Sequence, residues 1–180
     1  MIRWLLWTLG GIVLGAIVHL TTVLLLPRTA TQDAYSRLAA ITQVNAVIPI
    51  QQPASGQALL PFMDPAFAVA VCRYDLTQGP LKLSAPLSQA YTSVSFYTRY
   101  GAPYYAITDR AAGRRSIDLD LMTERQHSEM PEEEDVTAAD RLIVESPTPT
   151  GLIVIKALSP EPSQLAMAQR AVAGAKCQAQ

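Results

Sequence analysis

Charge is what this chain has least of. Asp, Glu, Lys and Arg make up 16% of its 180 residues, against about 25% in an average soluble protein. The shortage is concentrated, because no residue between Arg3 and Arg28 carries a formal charge. That window excludes a simple soluble domain. The net charge is −1, which provides no basic face for nucleic acid. Histidine occurs only as His19 and His127, and cysteine only as Cys72 and Cys177. Two cysteines cannot supply the four ligands of a structural zinc site, and they are not spaced as a C-x-x-C redox pair. A Ser-His-Asp arrangement would have to use His127, and no G-x-S-x-G elbow accompanies it. There is no P-loop and no Gly-rich dinucleotide fingerprint. No catalytic residue and no cofactor is therefore expected, and an enzyme is the less favoured reading.

What is present at the N-terminus is an apolar run. Trp4 to Leu26 contains no Asp, Glu, Lys, Arg or Pro. As a helix it spans roughly 35 Å, enough to cross a hydrocarbon core of about 30 Å. A helix is the form that satisfies every backbone amide of a lone span in lipid. Trp4 and Trp7 suit an interface at one end, and Pro27 and Arg28 close the other. A cleaved signal peptide is the competing reading. The run is longer than the usual apolar core of about 7–15 residues, and Pro27 to Ala30 supplies no small-x-small cleavage site, which favours a retained anchor over residues 1–27. Flanking charge is almost balanced, with the amino terminus and Arg3 on one side and Arg28, Arg37 and Asp33 on the other. The short N-terminal tail favours N-in, with the C-terminal domain in the periplasm of a bacterial inner membrane. The lipid bilayer is thus one expected partner. Gly11 and Gly15 form a G-x-x-x-G pair, a candidate for close helix–helix contact. His19 is an ionisable group inside the span, read as a neutral imidazole near the interface.

About 150 residues remain, enough for one domain at 28–180. Thr29 to Gln43 has helical spacing, with Thr31 as a candidate cap. Asn45 to Pro65 contains five Pro or Gly residues and reads as irregular. From Pro65 the period changes to two. Strands are expected from Phe67 to Tyr74 or Leu76, from Leu81 to Ala85 and from Tyr91 to Arg99. Tyr104–Thr108 and Ser116–Leu121 are expected to pair as a hairpin around Asp109 to Arg115, with Gly113 in the turn. Ten of the 15 acids lie between Asp118 and Glu145, and Thr123 to Asp140 reads as an acidic connection. Arg141–Glu145 and Leu152–Ala157 are two more strands around a hairpin-like SPTPTG turn. Ser159 and Pro160 are expected to start a closing helix over Gln164 to Ala175, with Leu165, Ala168 and Val172 on its apolar stripe. Seven strands without β-α-β alternation predict a mainly β (α+β) domain: an antiparallel sheet or sandwich flanked by helices.

Three further groups are candidates for function. Cys72 and Cys177 pair if the domain lies in an oxidising compartment; otherwise they are a buried thiol and a tail thiol. Tyr91, Tyr97, Tyr100, Tyr104 and Tyr105, with Phe96 and Arg99, make an aromatic-rich middle. Tyr97, Arg99, Tyr104, Tyr105 and Asp109 are its candidate binding residues, although the same tyrosines fit an ordinary sheet surface. His127, Glu132 and Glu133 are a weak candidate metal loop, lacking the spacing and glycine of a calcium loop.

The segment AVCRYDLTQGP at Ala70–Pro80, followed by LKLSAP, YTSVSFYTRYG and ITDR, resembles the domain of unknown function 1254 (DUF1254) family. It is most similar to that family's short, membrane-anchored bacterial members. The resemblance covers roughly Asp64 to Lys156 and rests on Asp75, Leu76, Gly79, Pro80, Pro86 and Asp109, residues of turn and sheet punctuation. Longer members join this domain to a second one, of unknown function 1214 (DUF1214). The resemblance therefore implies a β-rich fold and a separately encoded partner carrying that second domain. The leading expectation is a single-pass envelope protein whose outer domain binds such a partner or another envelope component. The alternative is a small-ligand or enzymatic domain using Tyr91 to Asp109.

Overall fold

The uncharged N-terminal run forms one helix, α1 (Ile2–Thr29), with no buried residue. At 1.5 Å per residue it is about 42 Å long, long and apolar enough to cross a membrane. Thr8, Thr22 and Thr29 turn their hydroxyls back onto the carbonyls of Trp4, Val18 and Leu25, so these polar groups are satisfied within the helix. Pro27 lies inside the helix rather than ending it. The computed structural model describes residues 1–30, 33–51, 63–112, 115–130 and 142–180. The chain divides into two units, Met1–Asp33 and Ala34–Gln180.

The second unit is a β-sandwich. One sheet has the order β1 (Val47–Ile50), β2 (Phe67–Asp75), β8 (Thr150–Leu158), β4 (Thr92–Thr98), β5 (Pro103–Thr108). The other has the order β7 (Leu142–Ser146), β6 (Ser116–Thr123), β3 (Leu81–Pro86), β9 (Lys176–Ala179). Alternate residues of both sheets meet in one core: Ala70, Cys72 and Tyr74 of β2, Ile153 and Ile155 of β8, and Val94 and Phe96 of β4 pack with Leu81 and Leu83 of β3 and Leu119 and Leu121 of β6. A period of two places one such set on one face, and two facing sets close the sandwich. The helix α4 (Leu165–Ala173) adds Ala168 and Val172 to the same core. Cys72 of β2 and Cys177 of β9 form a disulfide between the two sheets.

The mainly β, helix-flanked architecture agrees with the sequence, and several pairings do not. Tyr104–Thr108 and Ser116–Leu121 do not form a hairpin. β5 pairs with β4 in one sheet, and β6 pairs with β3 and β7 in the other. The chain crosses between sheets through a 3-10 turn at Asp109–Ala111. Gly113 lies outside the described residues. The SPTPTG segment likewise joins different sheets, since β7 runs parallel to β6 while β8 lies between β2 and β4. Turn residues permit either a hairpin or a crossover, and the choice is made by which sheet each apolar face fits.

Other boundaries also shift. Within the Pro-rich stretch Val47–Ile50 is a strand, and its Pro49 is tolerated because β1 is an edge strand. Of the expected Thr29–Gln43 helix, Thr29 is the last residue of α1 and Ala34–Ala39 (α2) is a separate short helix among the described residues, which do not include Thr31. The acidic connection opens with a short helix, α3 (Glu124–Ser128), held by a Thr123–Gln126 capping box. Pro162 rather than Pro160 stands at the start of the C-terminal helical turn, and the Ser159 hydroxyl instead bonds the Glu161 carbonyl. The tail Lys176–Ala179 is an edge strand on β3.

Candidate functional site

The outward face of the five-stranded sheet carries a second apolar set. Along β2 the outward residues are Phe67, Val69, Val71 and Arg73. Along β8 they are Lys156, Val154 and Leu152, paired in register with Val69, Val71 and Arg73. Tyr97 of β4 lies opposite Leu152, and Ser93 opposite Lys156. Leu38 of α2 packs onto this face with Val71 and Leu152, and Tyr35, Met63, Val69, Tyr97 and Val154 complete the cluster. Apolar alternation on both faces explains why β2 and β8 occupy interior positions of their sheet.

Two arginines hold α2 in place. The guanidinium groups of Arg73 and Arg99 both lie over the Tyr35 ring, 5.2 Å and 4.2 Å from its centre. Arg73 also donates to the Thr42 hydroxyl at 2.7 Å and the Thr42 carbonyl at 3.0 Å, and Arg99 donates to the Ser36 hydroxyl. Guanidinium groups stack well on aromatic faces, and each contact of this kind is worth about 0.5–1 kcal/mol. Asn45, in the left-handed region at φ 57°, extends the clasp: its side chain bonds both the amide and the carbonyl of Asp75. Between α2 and the sheet lies a groove of about 350 Å³. Its floor is Val69, Val71, Leu152 and Val154, one wall is Ala34 and Leu38, and Lys156, Asp64 and Tyr97 stand at its margins.

The sequence-derived binding set is divided by the fold. Tyr97 and Arg99 belong to this outer face. Tyr104 and Tyr105 turn toward the core, both tilted against Phe96 with ring centres 6.1 Å and 5.8 Å away. A shift of register beside Phe96 accommodates the two adjacent tyrosines. The Tyr104 hydroxyl donates to the Tyr74 hydroxyl at 3.1 Å, and Tyr74 in turn meets Ser146 at 2.9 Å. Burial, chiefly, raises the Tyr104 phenol well above its ordinary value. Gly151 lets this network form, because a Cβ there would stand 2.3 Å from both the Tyr74 hydroxyl and the Tyr97 carbonyl. Asp109 heads the 3-10 turn, with one carboxylate oxygen buried and without a partner among the described residues. Tyr105 instead lines a separate cavity of about 470 Å³ beside Lys82, Asp118 and Asp120. The aromatic middle is thus two surfaces, one core-facing and one outward.

The other candidates are placed as follows. His127 on α3 has its Nδ1 2.6 Å from a Glu145 carboxylate oxygen on β7. Glu132 and Glu133 lie outside the described residues, and no group of three metal-ligating side chains occurs among the described ones. Gly11 and Gly15 lie on α1 with open space where a Cβ would point. The residues that sequence reasoning missed are Tyr35, Arg73 and the groove floor. One signal was available for Lys156, a single charge interrupting the apolar LIVIKAL run.

Comparison with known proteins agrees with this architecture. The VPA0106 protein from Vibrio parahaemolyticus superposes with a TM-score of 0.58 at 10% identity, over 81% of this chain and 32% of its own. An uncharacterised protein from Burkholderia cenocepacia gives a TM-score of 0.49 at 10% identity, over 76% of this chain and 34% of its own. The chain therefore spans about a third of the length of either solved protein. No curated protein matches it. The family described as "Protein of unknown function (DUF1254)" matches residues 44–179, a stretch that includes every strand of the sandwich, and the chain belongs to that family.

Proposed function

We propose that this protein is a membrane-tethered binding subunit. Its β-sandwich docks a separately encoded protein carrying a DUF1214-type domain, at the periplasmic side of a bacterial inner membrane. The single observation that carries this reading is the match to the DUF1254 family over residues 44–179, in a chain whose N-terminal helix is long and apolar enough to cross a membrane. The sandwich shares its fold with a solved protein of which it covers 32%. The tether is supported by α1, which has no formal charge between Arg3 and Arg28 and no buried residue. The periplasmic side is supported by the Cys72–Cys177 disulfide, since such bonds persist where the compartment is oxidising. No nucleic acid and no cofactor is part of the reading.

The test uses the full chain, affinity-tagged at its C-terminus and extracted in mild detergent from the membranes of its own host. A DUF1214-type protein should co-purify in near-stoichiometric amount and cross-link to residues of the sandwich. Recovery of the chain alone, before and after cross-linking in intact cells, would overturn the proposal. An impermeant protease added to spheroplasts should remove the sandwich. Its protection until lysis would reverse the orientation.

A further inference from the structure

The outward groove is lined by a lysine that has no ion-pair partner among the described residues. Lys156 points from β8 between Val69 of β2 and Ser93 of β4, and it is half-buried. Among the described residues it has no hydrogen-bond or ion-pair partner. Asp64, the one acid among the described residues that line the groove, accepts the Ala66 amide at 2.9 Å. At the far end of the same face stands Arg73, in register with Leu152. A carboxylate placed beside this ammonium, over the apolar floor, would be held by a charge-assisted hydrogen bond.

The dimensions narrow the occupant. From Lys156 to Leu152 the floor follows four residues of β8, roughly 13 Å at about 3.3 Å per residue. An extended hydrocarbon advances roughly 1.3 Å per carbon, so about ten carbons cover the floor. The volume of about 350 Å³ falls in the range of small-molecule sites, roughly 300–1,000 Å³. We infer that the groove is a binding site for a free medium-chain carboxylic acid. Its carboxylate pairs with Lys156 and its acyl chain lies over Val69, Val71, Val154 and Leu152 beneath Leu38. This inference stands apart from the docking of a second protein and can fail or hold without it.

The test is photolabelling of the full chain in phosphatidylcholine vesicles with a diazirine-bearing decanoate, followed by mass-spectrometric mapping. Label on α1 reports simple partition into lipid and serves as the internal standard. Adducts are expected on Leu38, Val71, Leu152 or Val154, competed by unlabelled decanoate and at least about tenfold weaker with the matching decanol probe. Lys156→Glu should abolish the groove adducts and leave the α1 adducts unchanged, and Lys156→Arg should retain them. Val154→Trp, which fills the floor without touching the charge, should also abolish them. The disulfide, read by mass shift under non-reducing conditions, confirms that each variant is folded. Equal labelling by acid and alcohol, groove adducts indifferent to Lys156→Glu, or no groove adducts at all would overturn the inference.

Discussion

Removing the disulfide tests how the two sheets are held together. Cys72 lies in the interior of β2, and Cys177 is on β9, an edge strand, 105 residues further along the chain. Cross-linking restricts the unfolded chain more as the closed loop grows, and for a loop of about 100 residues the entropy model gives about 4.7 kcal/mol. That is a large share of the 5–15 kcal/mol by which domains are usually stable. At about 2–4 °C per kcal/mol for a domain near 150 residues, the double variant Cys72→Ala/Cys177→Ala should melt roughly 9–19 °C lower. Both sulfurs are buried, so the Ala pair also tests whether the core closes around two small gaps. β9 also pairs with β3 from Leu81 to Ser84, and Gln180 donates to the Asp120 carboxylate at 2.9 Å, contacts that do not involve the sulfurs. The tail should therefore stay paired at room temperature but open first on heating. The measurement is circular dichroism of the detergent-solubilised full chain, oxidised, reduced and doubly substituted, with limited C-terminal proteolysis beside it. A double variant melting within about 3 °C of the oxidised protein would refute the reasoning.

Three further outcomes are expected. Gly151→Ala forces a Cβ to within 2.3 Å of the Tyr74 hydroxyl and the Tyr97 carbonyl, so the urea midpoint should fall by the equivalent of about 1–3 kcal/mol; an unchanged midpoint would mean the approach is looser than described. Tyr104, whose phenol burial holds above its ordinary value near 10, stays protonated in the folded chain while its unfolded counterpart ionises. The native state then binds more protons, so its contribution is whole below pH 10 and is lost as pH rises beyond it, a decline that Tyr104→Phe should flatten in alkaline unfolding curves. Arg73→Ala removes two hydrogen bonds to Thr42 and a stacking contact with Tyr35. It should cost about 1.5–3 kcal/mol and open residues 34–44 to protease, whereas equal cleavage rates would show that α2 is held by its apolar contacts alone.

The sequence by itself determined the elements whose signals are local. An uncharged run from Trp4 to Leu26 can only be a helix if its amides are to be satisfied in lipid, and α1 covers it. Period-two alternation located β2, β3, β4 and β8 within a residue or two, and the family resemblance over Asp64–Lys156 lies inside the matched residues 44–179. What only the tertiary structure decided was partnership. β5 and β6 follow one another in sequence yet lie in different sheets, as do β7 and β8, because a turn sequence does not record which apolar face its strand will meet. The same reason hid the candidate site. Tyr97 and Tyr104 are seven positions apart, but one faces the outer groove and the other the core. Lys156 gains meaning only from Val69 and Leu38, contributed by elements roughly 90 and 120 residues away in the chain. Periodicity reports which residues share a face, and packing reports what that face is turned toward.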